Sequence, residues 1–598
     1  MITKLVTVAV ALLFLSADRT PAQEIPETRR ADGLRPDDIF RFTNLWTVHL
    51  SFTPEQWEAM EPKQGSRPQF RPGGNRSFLQ GPEGGRNGIA AAFGIVFDYV
   101  HADLEFGTNR FKDVGVRYKG NGTFLSSREV LKRSFKIDLN QFVKGQELAG
   151  MSQLNLHNSV RDPSFMNEAV AYRMFRDGAV PAPRTAYAKV FITVPGKHDR
   201  RYFGLYNLVE DVGDTFAEEQ IGVTKGALLK PVTGRPFADL GDDWKNYNQT
   251  YDPKGSISKE QKQRVIEFCK FVSSASDAEF ASKVAEYIDI DNFARYMAIT
   301  AWLSDLDGIL GPGQNYYLFL HPKTQKFAFI PWDQDQAFGQ FPRGTEEQRE
   351  NLSIHKPWTG ENQFLARIYN TDVFKKAYPA RLQEFNESVF QPERIHRQVD
   401  ELAGVLRPPL EEESAEKLAQ MNKAAAGEKV AVSMGPGFTG DILTKPIKPF
   451  VEARSRAVKD QLAGKSAGQS INPDFGGPVR NRSPPVQEQA NLRRRTYPTA
   501  ATRIQLPFLS VGPAAPPLFW FAHWRANVPS ALGVSRTGTN TEHRLAAVVV
   551  SVTAVKLLSS TFTLTRPGPG PTFCFEMLRF AASMRGLGAE FRPAESDL

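Results

Sequence analysis

One segment, residues 304–339, constrains the fold of this chain more than any other, because it places acidic side chains around two short strand-like stretches. Its polar residues are Asp305 and Asp307 after an apolar helical stretch, Asn315 at the start of the first strand, and Asp333 and Asp335 after the second. Carboxylates at the ends of paired strands, with an amide between them, suit a hydrated Mg²⁺ that carries nucleotide phosphates. The segment therefore predicts phosphoryl-transfer chemistry.

The N-terminus has the pattern of a secretory signal peptide over residues 1–22. Lys4 precedes an apolar core from Leu5 to Leu15, and small residues near Ala22 suit cleavage. The apolar run is short for a bilayer span, so we expect removal and no membrane span afterwards. The expected location is the periplasm, the cell surface or the extracellular space.

Charge and cysteine content exclude two classes of function. The formal net charge is +8, but residues 466–598 contain 14 Lys and Arg against 7 Asp and Glu, so residues 1–465 are nearly neutral. A basic excess confined to a tail does not indicate a nucleic-acid surface, and we expect no nucleic-acid partner. With 2 cysteines in 598 residues, a cysteine zinc site is excluded and the fold depends on its hydrophobic core.

The order of predicted elements indicates an α+β protein. After an N-terminal strand and helix and a Gly/Pro-rich loop (23–94), strand patterns dominate residues 95–215, interrupted by a helix predicted from Pro163 to Asp177. Residues 216–462 are mostly helical around the acidic segment. The tail at 466–598 is rich in Arg and Pro and almost free of Lys, so we expect it to be disordered or aberrant.

Six ordered motifs carry a resemblance to a known family. They are "VRYKGNG", "KRSFKIDL", "DPSFMNEAVAYRMFRDGAVPAPR", "YFGLYNLVED", "YIDIDNFARYMAI" and "NYYLFL…FAFIPWDQDQAFG". Together they resemble the CotH (spore-coat protein H) family of atypical kinases, from about Asp113 to Gly339 and more weakly to about Leu462. The resemblance implies a two-lobe, protein-kinase-like fold with a strand-rich N-lobe (95–215) and a helical C-lobe (216–462).

The resemblance also implies roles for the acidic residues. Asp333 would bind the metal as the Asp of a kinase Asp-Phe-Gly motif does, and Asp335 could share that metal. Asp307 would be the catalytic base that accepts the proton of the acceptor hydroxyl, with Asp305 as the competing residue. Asn315 would hold a second metal ion.

The basic residues predicted to bind the nucleotide lie on strands. Lys132 and Lys136 share one face of a strand, and Lys136 is the preferred contact for the α- and β-phosphates, with Lys132 as the alternative. The resemblance adds Arg117 on the preceding strand, followed by a turn containing Gly120 and Gly122, which suits close approach of phosphate. A plain hairpin turn explains those glycines equally well.

Two glutamates complete the predicted nucleotide site. Glu168 falls on an apolar helical stripe, so its burial requires a cation, and a pair with Lys136 would reproduce the kinase lysine–glutamate contact. Glu210 ends the strand before the predicted hinge, where its side chain, or the backbone of the two residues after it, would contact the adenine.

The sequence thus favours an exported kinase that uses ATP with Mg²⁺ or Mn²⁺ to phosphorylate Ser or Thr of a surface or coat protein. Two alternatives stay open at this point. A pseudokinase or secreted binding module would keep the scaffold without turnover. The Asp-x-Asp pairs at Asp305 and Asp333 also occur in metal-dependent nucleotide-sugar transferases, although so short a pattern is common by chance.

Overall fold

The computed structural model describes residues 33–62, 79–128, 130–433, 441–472, 546–550 and 560–564. The predicted signal peptide, most of the Gly/Pro-rich loop and nearly all of the predicted disordered tail lie outside these residues. The chain divides into two compact units, residues 1–486 and 487–598. All functional residues predicted from the sequence belong to the first unit.

Seven strands of the first unit close into a barrel in the order β1-β2-β3-β4-β5-β7-β6. Neighbouring strands are antiparallel except β1 and β6, which pair in parallel with Leu50 opposite Ile192. The strands are β1 (Leu45–Ser51), β2 (Val100–Phe106), β3 (Asn109–Tyr118), β4 (Phe135–Asp138), β5 (Gln153–His157), β6 (Thr185–Val194) and β7 (His198–Glu210). Strand β1, which the sequence analysis grouped with a separate N-terminal segment, is thus an integral part of the barrel.

Inward-facing apolar side chains form the barrel core, because alternate residues of each strand point to opposite faces. Val114, Val116 and Phe135 are fully buried members of this cluster. Short helices flank the strands within the described residues: α1 (Pro36–Ile39), α2 (Pro54–Ala59), α3 (Ile89–Ala92), α4 (Gly122–Ser126), α5 (Asn167–Asp177) and α6 (Asp214–Ile221).

Helix α5 begins at Asn167, four residues later than the sequence predicted. Phe165 has a left-handed φ of 62°, which a continuous helix does not allow. Asp162 still stabilises the entry, because its carboxylate accepts the N–H groups of Ser164 at 2.9 Å and Asn167 at 2.8 Å. The predicted capping residue therefore acts on a turn before the helix.

A second hydrophobic core lies among helices and a three-stranded antiparallel sheet of order β10-β9-β8. The elements from this region are β8 (Ala227–Leu229), α7 (Lys245–Tyr251), α8 (Lys259–Ser274), α9 (Asp277–Lys283), α10 (Ile290–Trp302), β9 (Tyr316–Leu320) and β10 (Phe327–Pro331). Strands β9 and β10 form the hairpin predicted inside the acidic segment, with Tyr316 opposite Pro331. The apolar packing of this hairpin fixes the position of the polar residues at its ends.

The remaining helices enclose this core: α11 (Glu346–Glu350), α12 (Gln363–Ile368), α13 (Asp372–Asn386), α14 (Pro392–Glu413), α15 (Ala415–Ala426) and α16 (Ile447–Leu462), with a small hairpin of β11 (Val430–Ser433) and β12 (Asp441–Thr444). Arg454 of α16 is fully buried, and its guanidinium donates to backbone carbonyls that include those of Trp302 and Leu352. The helix predicted at the end of the main body is therefore tied by Arg454 to the C-terminal end of α10.

The described part of the second unit is one antiparallel pair, β13 (Ala546–Val550) with β14 (Ser560–Leu564). Across the described residues, no helix is both long and apolar enough to cross a membrane. The architecture of the first unit is mixed α+β, as the sequence predicted.

Candidate active site

A cavity of about 630 Å³ lies where barrel strands β3, β4, β5 and β7 meet the acidic segment. Among the residues predicted for function, Arg117, Lys136, Glu168, Asn315, Asp333 and Asp335 line it. These residues come from four separate parts of the chain. Only the closed barrel and the docked β9–β10 hairpin bring them together.

Asp307 does not itself line the cavity, but it is hydrogen-bonded to two residues that do, Gln314 and Asn315. Asn315 Nδ2 donates to Asp307 Oδ2 at 3.1 Å, and Gln314 Nε2 donates to Asp307 Oδ1 at 3.0 Å. Burial, together with the nearby charges of Asp333 and Asp305, raises the pKa of Asp307 to about 7. A carboxylate with this pKa is suited to accept a proton near neutral pH.

Asp305, the competing residue, has a different partner within the acidic segment. Its carboxylate accepts Gln334 Nε2 at 3.0 Å, and burial raises its pKa to about 6. Neither Asp305 nor Asp307 lines the cavity, but the partners of Asp307 do, whereas Gln334 does not. The geometry thus places Asp305 in a supporting contact within the acidic segment.

Asp333 and Asp335 face the cavity from the turn that follows β10. Asp333 has a left-handed φ of 56°, and its N–H donates to Tyr172 Oη of α5 at 2.8 Å. Asn167 of α5 donates to the backbone carbonyl of Asp335 at 2.8 Å. Helix α5 therefore holds the turn in a conformation that points both carboxylates at the cavity.

The charge of this turn fits a cation. Burial raises the pKa of Asp335 well above its ordinary value, and the carboxylates of Asp333 and Glu168 raise it further. Within the described residues, no three His, Cys, Asp or Glu side chains are arranged as a metal site by themselves. The donors present are two carboxylates and the Asn315 amide, and such an oxygen set suits Mg²⁺ that completes its coordination with phosphate and water.

Lys136 lies on the opposite wall, but the contact expected with Glu168 is not formed. Lys136 Nζ pairs with Asp211 Oδ1 at 2.8 Å, and Asn155 donates to the same oxygen at 2.9 Å. Glu168 Oε2 instead lies 2.8 Å from His157 Nδ1. The physical reason is that His157, at the end of β5, occupies the space beside Glu168.

Lys119 reaches Glu168 through this histidine. Its ammonium lies 2.5 Å from His157 Nε2 and donates to Asn155 Oδ1 at 2.9 Å. The kinase lysine–glutamate pair expected from the sequence is thus replaced by a chain of three side chains, Lys119, His157 and Glu168. Lys119 was present in the motif "VRYKG" two residues after Arg117, so alternation along the strand already placed both on one face.

Arg117 and the glycine turn lie at the edge of the cavity. The Arg117 guanidinium is 5.1 Å from the centroid of the Tyr99 ring and donates to the Tyr118 carbonyl at 3.0 Å. Gly120 has a φ of 102°, a conformation that side-chain-bearing residues rarely adopt. A Cβ at Gly122 would lie 2.5 Å from Arg161 Nη2, so a larger residue there would have to displace the end of that flexible side chain.

Two predicted nucleotide contacts point elsewhere. Lys132 pairs with Glu413 of α14 at 2.9 Å, and both side chains are at least nine-tenths buried. Glu210 is 1 % exposed and its carboxylate is bound by Arg184, from the backbone N–H at 2.9 Å and from Nε at 3.0 Å. Neither side chain lines the cavity, whereas Asp211 and Val212, which follow Glu210, do.

Sequence reasoning missed further residues of the cavity wall, namely Lys119, His157, Lys230 and Trp332, and it named Asp211 only for its backbone. Lys230 follows the three-residue strand β8, which has no recognisable pattern of its own. Trp332 immediately precedes Asp333 and could have been noted from its place in the motif "IPWDQD". No local signal in the sequence indicates Asp211 as the partner of Lys136.

Comparison with known proteins places the chain in a family. A family model described as "CotH kinase protein" matches residues 116–431, which is more than half of the chain. The chain belongs to the CotH family. Inner spore coat protein H of Bacillus subtilis (strain 168) is 24 % identical over 300 residues, which cover 50 % of this chain and 77 % of that protein.

Membership in a family described as kinases supports an atypical kinase and implies ATP as a ligand. A solved chain from the Shewanella oneidensis MR-1 toxin–antitoxin complex of HipA, HipB and operator DNA also matches. It is 14 % identical with a TM-score of 0.25, and the match covers 49 % of this chain and 62 % of that one, less than two thirds of its length. A TM-score this low does not establish a shared fold.

Proposed function

We propose that this CotH-family chain is an ATP-dependent protein kinase that transfers the γ-phosphoryl group to a Ser or Thr hydroxyl. The observation that carries the proposal is the hydrogen bond between Asp307 and Asn315 beside the cavity that Asp333 lines. Kinase chemistry needs these three roles, a hydroxyl acceptor and two groups that hold metal, in one place. The barrel then serves as the N-lobe and the helical region as the C-lobe, with the nucleotide between them.

The acidic side of the cavity would hold the metal and the acceptor. Asp333, Asp335 and Asn315 would bind Mg²⁺ or Mn²⁺, which neutralises charge on the phosphates of bound ATP. Asp307 orients the acceptor hydroxyl and takes its proton. The hydroxyl oxygen bonds to the γ-phosphorus as the bond to the β-phosphate oxygen breaks, and ADP leaves.

The basic side would hold the rest of the nucleotide. Lys136 and Arg117 face the cavity from neighbouring strands, with Arg117 opposite Lys136 in the register of β3 and β4. The backbone of Asp211 and Val212 lines the cavity directly after β7, at the place expected for the adenine contact. We assign the adenine contact to this backbone and not to the Glu210 carboxylate, because Arg184 already binds that carboxylate.

The acceptor and the location rest on less direct support. The relative in B. subtilis is named as a spore coat protein, which favours a coat or surface protein as the acceptor. The N-terminal signal pattern favours export. The labelling experiment below would identify the acceptor.

Label transfer from γ-labelled ATP to a mixture of Ser-, Thr- and Tyr-containing peptides tests the proposal. The full-length chain should label Ser or Thr peptides in the presence of Mg²⁺ or Mn²⁺, and Asp307→Asn should not. Asp305→Asn is the matched control: it is an equally buried carboxylate in the same segment and should retain transfer. Nucleotide binding without any transfer would instead favour a pseudokinase, and transfer by Asp307→Asn at the wild-type rate would contradict the assignment of the base.

A further inference from the structure

Lys230 has an unusual environment in the cavity. Its ammonium lies 5.1 Å from the ring centroids of both Tyr317 and Trp332. Within the described part of the chain, this ammonium has no hydrogen-bond or ion-pair partner, although it lines the cavity. Contact with aromatic faces stabilises a desolvated cation but supplies no negative charge.

Lys119 approaches the same tryptophan. Its ammonium lies 5.2 Å from the Trp332 centroid and is held by Asn155 and His157. Neither partner is a carboxylate, so Lys119 also lacks a directly bound anion among the described residues. Two ammonium groups therefore share one indole ring as their neighbour.

This arrangement is electrostatically unfavourable without a ligand. Burial, together with the charges of Lys136 and Lys230, lowers the pKa of Lys119 to about 7. Burial also lowers the pKa of Lys230 to about 7, with Lys254 as the next cause. The Asp333 carboxylate opposes both shifts but pairs directly with neither ammonium, so a ligand that carries several negative charges would offset the remaining cost of desolvating the two cations.

Lys136, unlike Lys119 and Lys230, already has a carboxylate partner. Its ammonium already pairs with Asp211 at 2.8 Å, and Asn155 fixes the same carboxylate. A phosphate that bound Lys136 would have to compete with this carboxylate. Lys119 and Lys230 face no such competition.

From this geometry we propose that Lys119 and Lys230 form a two-ammonium clamp beside Trp332 that binds the phosphate chain of the nucleotide. The clamp makes the site selective for nucleoside di- and triphosphates over monophosphates. This inference rests on the proposed function, since it assigns phosphate binding within the same cavity. Lys119 takes the role that the sequence predicted for Lys136, and Lys230 adds a second cation from the residue that follows β8.

The test compares the affinities of adenosine, AMP, ADP and ATP for the full-length chain, with Mg²⁺ present, by isothermal titration calorimetry. In the wild type, affinity should rise from AMP to ADP and ATP. Lys119→Met and Lys230→Met should each weaken ATP binding at least about tenfold and leave AMP binding nearly unchanged. Lys119→Arg and Lys230→Arg, which keep the charge, should restore part of the preference for ATP.

Lys112→Met is the matched control, because Lys112 is an exposed lysine paired with Asp103 on the barrel surface. It should leave all four affinities unchanged. If both clamp variants keep the wild-type ratio of ATP to AMP affinity, or lose AMP binding as strongly as ATP binding, the clamp is contradicted while the proposed function stands. If the wild type binds no nucleotide, the proposed function fails and the clamp with it.

Discussion

A substitution of Glu210 distinguishes most clearly whether this residue stabilises the fold or binds the nucleotide. Its carboxylate is 1 % exposed and receives hydrogen bonds from the backbone N–H and side chain of Arg184, whose side chain is 7 % exposed. We predict that Glu210→Gln destabilises the protein but leaves ATP affinity unchanged. The substitution keeps the side-chain volume and removes only the charge that compensates the guanidinium.

The expected magnitude follows from what remains around Arg184. Breaking a buried ion pair by removing one partner costs about 3–5 kcal/mol. The lower end applies because Arg184 keeps a contact of 2.7 Å with Asp37, although that carboxylate is 65 % exposed. In a folded unit of this size, a loss of about 3 kcal/mol should lower Tm by about 3 °C.

Thermal and urea unfolding measure the stability, and calorimetry with ATP measures the affinity. Glu219→Gln is the control, since Glu219 lies 3.8 Å from Arg184, is 30 % exposed and should contribute less than about 1 kcal/mol. A Glu210→Gln protein with normal Tm and an ATP affinity weakened tenfold or more would refute the structural role. That result would return Glu210 to the nucleotide site.

Further predictions concern the second buried ion pair and the catalytic base. Glu413→Gln should cost about 3 kcal/mol by urea unfolding, because it leaves the Lys132 ammonium buried without its carboxylate, and ATP affinity should not change; an altered affinity at normal stability would place this pair in the site. Since the pKa of Asp307 is raised to about 7 and the base must be ionised, phosphoryl transfer should increase with pH between about pH 6 and about pH 8. A pH-independent rate over this range would argue against Asp307 as the base. Tyr172→Phe, which removes the acceptor for the Asp333 N–H, should weaken metal-dependent ATP binding several-fold, measured by titration of Mg²⁺ at fixed ATP, and unchanged metal dependence would show that the hydrogen bond does not orient the turn.

The acidic segment was predictable because its geometry is local. A hairpin and the turns that flank it place Asp307 beside Asn315 within 36 residues, and the two short apolar runs around a polar turn reveal the hairpin. The α+β class and the family also followed from motifs that can be read in order. Roles that depend on local chain geometry are accessible to sequence reasoning.

Contacts between distant segments were not predictable in the same way. Glu168 and Lys136 were expected to pair, but His157 and Asp211 supply the partners, and both choices depend on how barrel strands register against α5. Closure of the barrel itself depends on the parallel pairing of β1 with β6, more than 130 residues apart in the chain. No periodicity in a single segment carries that information.

The side chain of Glu210 shows a second limit. The prediction that Glu210 ends a strand was correct. The direction of its side chain, however, is set by Arg184, the residue directly before β6. Because successive strand residues point to opposite faces, an error of one residue exchanges a cavity contact for a buried structural one. Asp211, the next residue, lines the cavity, and its side chain pairs with Lys136 there.

The most direct test of the central claim is calorimetric titration of the full-length chain with ATP in the presence and absence of Mg²⁺. The account predicts that Mg²⁺ strengthens ATP binding at one site per chain, and that Asp333→Asn removes this gain while weak metal-free binding persists. Equal ATP affinity with and without metal, or an Asp333→Asn protein indistinguishable from the wild type, would contradict the assignment of the acidic segment as the metal–nucleotide site.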